Sequence, residues 1–303
     1  MAITTSPDNI PSPTSGDPYN YVVDMAAMAD RIQGIFTLRG LAPNPNLLIN
    51  SNFMVNQRAA VSGASLTNGT YFLDRWKSVY TGSVVSWADS GGVRTLTLTG
   101  AAIGQVIEQE SILAGPHTLA WGGGLPGRIY NSGATPPVFA PSPVTATIDG
   151  TANVAVEFSG NGETLFNVKL ERGSVATPFE RRPYGEELAA CQRYCLTFIA
   201  GTGSQRLGGW GVQSTTTGAE TLIITPVTMR TIPTITFLNL WWTDAVGFES
   251  IVSAIDARYP TTPAASPNGL PVVVTFAAAG AARYPGTLAA QASGSHLILD
   301  ADL

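Results

Sequence analysis

The sequence predicts a mainly β protein: an extended N-terminal arm with a short coiled-coil helix, a β-sandwich, a linker helix, and a second, C-terminal β-sandwich domain. Three observations lead there. Gly (32) and Pro (21) are abundant in the 303 residues, only 12% of residues are charged, and Thr and Ser crowd the stretches between short apolar runs. A chain of this length is expected to build two cores of ordinary size rather than one. The parts are residues 1–45, 46–183, 184–196 and 197–303.

The arm comes first. Residues 4–18 carry Pro7, Pro11, Pro13, Gly16 and Pro18 and no hydrophobic period, which predicts an extended segment without a core of its own. Asp17 then serves as a helix cap with Pro18 at the first helical position. From Tyr19 to Phe36, the residues Val22, Met25, Ala29, Ile32 and Phe36 follow a heptad spacing. Such a helix either lies on its own domain or pairs with copies of itself. The second reading is favoured because the arm on one side and the linker Gly40-Leu41-Ala42-Pro43-Asn44-Pro45 on the other leave it no neighbour in sequence. The seam is too short to fix the number of strands or to be stable alone in water.

From Asn46 to about Pro183 the pattern is that of strands. Asn68-Gly69 is a hairpin signal, Val93–Thr99 and Val154–Phe158 alternate, and Phe166, Val168 and Leu170 share a face. Several strands at this spacing predict a sandwich. In Leu73-Asp74-Arg75-Trp76 the tryptophan is expected in the core, with Asp74 and Arg75 pairing nearby. Pro183–Tyr194 reads as a short helix with Glu186 and Glu187 in its first turn, where the helix dipole favours acids. Cys191 and Cys195 then fall on one helical face as reduced, partly buried thiols and not as a disulfide framework. Further strands follow at Thr221–Thr225, Thr234–Leu238, Val272–Phe276 and Leu297–Leu299. Long polar loops at Gly201–Gly211 and Tyr259–Leu270 look suited to binding.

Chemistry is sparse. With only His117 and His296, no multi-histidine metal site forms within one chain, and no Gly-x-Ser-x-Gly turn supports a triad. No catalytic residue, cofactor or metal is expected. Gly122-Gly123-Gly124-Leu125-Pro126-Gly127 matches a dinucleotide fingerprint in letters but is followed by no helix to hold a pyrophosphate. Glu108 and Glu110 would share one strand face, either as a general acid and base for glycan cleavage or as a solvated edge; the solvated edge is favoured. Asp300 and Asp302 read as surface charges. The net charge of −5 argues against nucleic acid as a partner. Neither a signal peptide nor a run of about 20 apolar residues is present, so folding in a cytosol without membrane insertion is expected.

The six tryptophans carry more information. An indole face can stack on a sugar ring, although most tryptophans are core. Trp210 in Gly208-Gly209-Trp210-Gly211 and Trp121 before Gly122-Gly123-Gly124 lie among glycines that offer them little cover. Trp241 and Trp242 point to opposite faces if extended, so one of them is exposed unless an interface covers it. Trp210, Trp121 and the Trp241/Trp242 pair are therefore the candidate glycan or interface contacts.

Several segments carry a resemblance. Thr5-Ser6-Pro7-Asp8-Asn9-Ile10, Gly16-Asp17-Pro18-Tyr19-Asn20 and Asp24-Met25-Ala26-Ala27-Met28-Ala29-Asp30 resemble the virion-attachment end of tail proteins from actinobacterial phages. Four stretches are similar to a jelly-roll, carbohydrate-binding-module-like domain common in tail fibres: Asn46-Leu47-Leu48-Ile49-Asn50-Ser51-Asn52-Phe53, Asn56-Gln57-Arg58, Asp74-Arg75-Trp76 and Val168-Lys169-Leu170-Glu171-Arg172-Gly173-Ser174-Val175-Ala176-Thr177-Pro178-Phe179-Glu180, the last continuing through Arg181-Arg182-Pro183-Tyr184 to Cys191-Gln192-Arg193-Tyr194. Asp300-Ala301-Asp302-Leu303 resembles an ending that such fibres share. The resemblance implies a homotrimeric phage tail-fibre or minor tail protein, assembled in the host cytoplasm and located in the virion tail. It also implies that the N-terminal arm contacts tail or baseplate proteins and that the fibre binds host cell-surface polysaccharide. A depolymerase tailspike and a purely architectural baseplate or collar subunit are the alternatives.

Overall fold

The computed structural model describes residues 4–5, 11–12, 45–215, 217–244, 248–257, 269–276 and 285–303. The chain forms two compact units, Met1–Pro45 and Asn46–Leu303. In the first, β1 (Thr4–Thr5) and β2 (Pro11–Ser12) pair antiparallel. The heptad seam of Val22, Met25, Ala29, Ile32 and Phe36 lies outside the described residues.

The second unit is almost entirely β. Its first strands are β3 (Ser65–Leu66), β4 (Tyr71–Leu73), β5 (Trp76–Ser78), β6 (Ser83–Ser90), β7 (Val93–Thr99), β8 (Ala101–Ile107), β9 (Gly115–Gly122), β10 (Gly127–Asn131), β11 (Val144–Ile148), β12 (Val154–Gly160) and β13 (Thr164–Arg172). They form a five-stranded sheet in the order β10-β12-β8-β5-β4 and a six-stranded sheet in the order β11-β9-β13-β7-β6-β3. Both sheets send alternate side chains into one core. Ile103, Val154, Val156 and Phe158 enter it from the first sheet, and Leu96, Leu98, Leu119 and Leu170 from the second. Trp76 sits at its centre, fully buried, with its ring 5.0 Å from Phe53 and 6.2 Å from Phe158, and its indole N–H donates to the Asn50 carbonyl at 2.9 Å.

Two local readings change. Asn68-Gly69 does form a turn, with Gly69 at φ +80, yet it joins no hairpin. The strand before it, β3, pairs with β6, and the strand after it, β4, pairs with β5 in the other sheet. Turn residues reverse the chain locally, but burial of each strand's apolar face chooses its partner. Asp74 and Arg75 form the connection between β4 and β5, and they turn away from one another. Asp74 accepts from the Gln57 backbone N–H and side-chain amide, both at 2.6 Å, and Arg75 reaches Asp302.

The one α-helix among the described residues, α1 (Tyr184–Gln192), carries Glu186 and Glu187 in its first turn. Glu187 is buried and accepts from the Asn50 backbone N–H and from Arg182, which docks the helix on the start of the sandwich. The helix is shorter than the cysteine spacing suggests. Cys191 belongs to it, whereas Cys195 opens the next strand, and both thiols are free and buried. Burial pushes the Cys195 thiol up to about 12 and Cys191 higher still. Both thiols are therefore neutral at pH 8. The native protein is expected to leave Ellman's reagent unreacted at that pH and to release both thiols in denaturant; rapid native labelling would contradict this burial.

Beyond the helix come β14 (Cys195–Ile199), β15 (Arg206–Thr215), β16 (Gly218–Ile224), β17 (Thr234–Leu238), β18 (Leu240–Asp244), β19 (Phe248–Ala257), β20 (Gly269–Phe276), β21 (Pro285–Ala290) and β22 (His296–Asp300). A second sandwich is not what they build. Six of them close into a barrel in the order β15-β16-β20-β19-β18-β21, and the other three form a sheet in the order β14-β22-β17. Closure needs strongly bent strands, and the register shifts between Arg206 and Trp210 of β15 and again along β19 supply bends. Glycine supplies close approach. A Cβ on Gly211 would lie 2.1 Å from the Glu220 carbonyl oxygen of β16, and one on its partner Gly286 would lie 2.6 Å from the Trp242 ring. Trp242, Leu240, Val272, Val274 and Leu288 fill the interior.

Sandwich and barrel belong to one compact unit, and Asp300–Leu303 joins them. Asp302 is not a surface charge, because its side chain is only 2% exposed. It receives Arg75 at 2.5 Å and Arg58 at 2.6 Å, and Arg58 also reaches Asp300 at 2.8 Å. The Arg75 guanidinium donates to the Val106 carbonyl at 2.5 Å and stacks 3.6 Å from the centre of the Tyr194 ring. Tyr71 and Lys77 both donate to the Leu303 carbonyl oxygen, and Arg230 donates to that of Ala301 at 2.7 Å. Burial holds the Asp74 carboxyl above its ordinary 3.8, against the pull of the Gln57 donors. Its contribution to stability is therefore fully present below 3.8 and is lost as pH rises through the raised folded value.

Candidate functional site

Among the described residues, Trp210 is the tryptophan that the fold leaves exposed. It lies on β15, inside a segment expected to be a loop, and is 71% exposed. Strand alternation puts it and Val212 on the outward face of the barrel, while on β16 the outward residues are Glu220, Leu222 and Ile224. The register sets Val212 opposite Glu220 and Gly211 opposite Thr221, so the two outward rows lie side by side. Between them runs a shallow groove of about 420 Å³ lined by Trp210, Gly211, Val212, Glu220, Thr221 and Leu222. That volume lies within the range of about 300–1,000 Å³ usual for small-ligand sites.

The polar groups of the groove are few. Thr221 turns its hydroxyl to the Gly209 carbonyl at 2.7 Å, which leaves Glu220 as the charged side chain of the lining. The cation nearest the platform, Arg206, holds its guanidinium 5.7 Å from the centre of the Trp210 ring and is not among the lining residues. Strand β15 is braced by hydroxyl-to-glycine bonds around the bend that precedes Trp210: Thr221 donates to the Gly209 carbonyl, and Thr287 to the carbonyls of Gly208 and Gly209.

The other candidate tryptophans divide between the two faces. Trp242 points inward and is fully buried beside Gly286, so it offers no stacking surface. Trp241 points outward and is half-buried; it forms one cross-strand row with Ala289 and Arg206. Trp210, Thr287 and Thr243 form the next row. Trp210 and Trp241 thus share a face two strands apart, a lateral separation of roughly 10 Å at the usual strand spacing. Trp121 belongs to the core of the sandwich. It is 8% exposed, packs edge-on to Phe158 at 5.0 Å and donates its indole N–H to the Leu125 carbonyl at 2.7 Å. The neighbouring glycines do not expose it: Gly122 and Gly123 make room for Phe166 and Thr164 of β13, and Gly127 gives way to the indole itself, where a Cβ would lie 2.8 Å from the ring.

The carboxylate pair does not form on a strand. Strand β8 ends at Ile107, Glu108 caps a 3-10 turn spanning Gln109–Ser111, and Glu110 is exposed within that turn. Glu108 accepts from the Tyr194 hydroxyl at 2.9 Å and faces Arg193 and Arg230, each at 3.7 Å, so it belongs to the contact between sandwich and barrel. His117 is buried with Nδ1 3.1 Å from the Gly115 carbonyl oxygen. Among the described residues no three His, Cys, Asp or Glu side chains converge, and no helix is long and apolar enough to cross a membrane.

The signal that finds Trp210 is a tryptophan flanked by glycines. The same signal misleads at Trp121, and Glu220 carries none at all, because its place beside Trp210 follows from strand pairing. The sequence matches no family model and no curated protein.

Proposed function

We propose that this chain is a structural virion protein without enzymatic activity, a homotrimeric phage tail fibre or receptor-binding protein that adsorbs to host cell-surface glycan. In this reading the arm and heptad helix of residues 1–45 attach to tail or baseplate proteins and align the trimer. The sandwich of residues 46–183 is a jelly-roll, carbohydrate-binding-module-like domain, and the C-terminal barrel presents the adsorption surface. The observation that carries the binding role is Trp210, an indole 71% exposed on a β strand beside a shallow groove. Support comes also from the mainly β architecture and from the buried ion pairs at Asp302 that tie barrel to sandwich. Exposed aromatic platforms on fixed strands suit weak, multivalent recognition, where three copies on one fibre multiply a modest affinity.

The purified protein is expected to sediment as a trimer, bind host cells and block phage adsorption, and Trp210→Ala is expected to reduce that binding at least tenfold with the melting temperature unchanged. A stable monomer in light scattering would remove the trimer. Full adsorption by the Trp210→Ala protein would leave an architectural baseplate or collar role.

A further inference from the structure

Resting on that reading, we infer that the Trp210 groove takes a non-anionic pyranose, with the C–H face of the sugar on the indole and vicinal hydroxyls donating to Glu220. The chemistry of the lining selects this class. The apolar side is continuous: Trp210 and Val212 on one strand face Leu222 on the other, and a pyranose carries a flat C–H face of matching character. Across from it stands Glu220, an exposed carboxylate whose oxygens offer acceptors and no N–H donor. A ligand must therefore bring donors to that edge, which a sugar diol does. Uronates, sulfates and phosphates bring acceptors and negative charge to the same place. The nearby cation Arg206 holds its guanidinium 5.7 Å from the centre of the Trp210 ring and is not part of the groove lining where Glu220 stands.

The same geometry disfavours a second copy of the chain as occupant. Glu220 stands opposite Val212 and two residues from Leu222, at the edge of the apolar strip. A subunit packed there would bury that carboxylate, and a buried charge without a partner is costly.

A panel of neutral and uronate-containing oligosaccharides, titrated calorimetrically against the full chain, tests this. The expected binders are neutral, with affinity falling at least tenfold in both Trp210→Ala and Glu220→Gln, and with Glu220→Gln also narrowing the gap between neutral sugars and uronates. Binding lost in Trp210→Ala but unchanged in Glu220→Gln would overturn the assignment of the carboxylate while leaving Trp210 as the platform. Binding unchanged in both variants would overturn the platform itself. Preference for uronates, no binding across the panel at millimolar sugar, or conversion of Trp210→Ala from trimer to monomer would each overturn the proposal.

Discussion

Asp302→Ala is expected to lower unfolding stability by about 3–5 kcal/mol, a loss typical of breaking a buried ion pair by removing one partner. Two guanidinium groups converge on this carboxylate, and the Arg75 side chain is as buried as the aspartate, 2% exposed in each case. Without Asp302, Arg75 keeps its bond to the Val106 carbonyl and its stacking on Tyr194 but holds an uncompensated charge between two domains. Arg75 occupies a left-handed turn position, φ +69, in the β4–β5 connection. Arg58 suffers less, since it retains Asp300. The double variant Arg75→Met/Asp302→Leu should recover most of the loss, as apolar replacement of a whole buried pair is often neutral or stabilising. Denaturant titration followed by near-ultraviolet circular dichroism checks both variants. A loss below about 1 kcal/mol for Asp302→Ala would show that water reaches the pair and that the junction is held by other contacts.

Trp76→Ala is expected to cost about 3–5 kcal/mol, the usual range for deleting a large buried aromatic. The ring joins the Asn46–Phe53 segment to the five-stranded sheet through Phe53 and Phe158, so its loss opens a cavity at the centre of the sandwich. Trp76→Phe separates two contributions. It refills much of the volume but leaves the Asn50 carbonyl without its indole donor, a deficit of about 1–3 kcal/mol for a buried acceptor. Calorimetry should place Trp76→Phe between wild type and Trp76→Ala. Equal melting temperatures for the two variants would mean that ring volume contributes nothing at this position.

Both sites bear on how far the chain can be read as text. The burial of Trp76 follows from local alternation, because a strand with one face in a core repeats every two residues. The neighbouring Asp74 and Arg75 were expected to pair, since adjacent opposite charges suggest it, yet each has a better partner distant in sequence. Gln57 offers Asp74 two donors, and Asp302 lies 227 residues from Arg75. The Asp300–Leu303 segment looks like a solvated end for the same reason. Nothing within its neighbourhood in sequence shows the two arginines that bury it.

The candidate site divides along the same line. A tryptophan between glycines is a legible feature, and it marks both Trp210 and Trp121. Which of them stays open depends on what the glycines permit next to each ring: at Trp121 they make room for Phe166 and Thr164 of β13 and for the indole itself, while at Trp210 the glycines let β16 approach the backbone and leave the side chain outside. By itself the sequence determined the mainly β character, the positions of several strands, the short helix and the buried Trp76, because these depend on periodicity and turn chemistry within a few residues. Only the tertiary structure decided that the C-terminal strands close into a barrel, that Asp302 is a buried anchor, and that Glu220 stands beside Trp210. Each of those joins residues far apart in the chain or on separate strands, where pairing is chosen by how apolar faces and charges can be buried together.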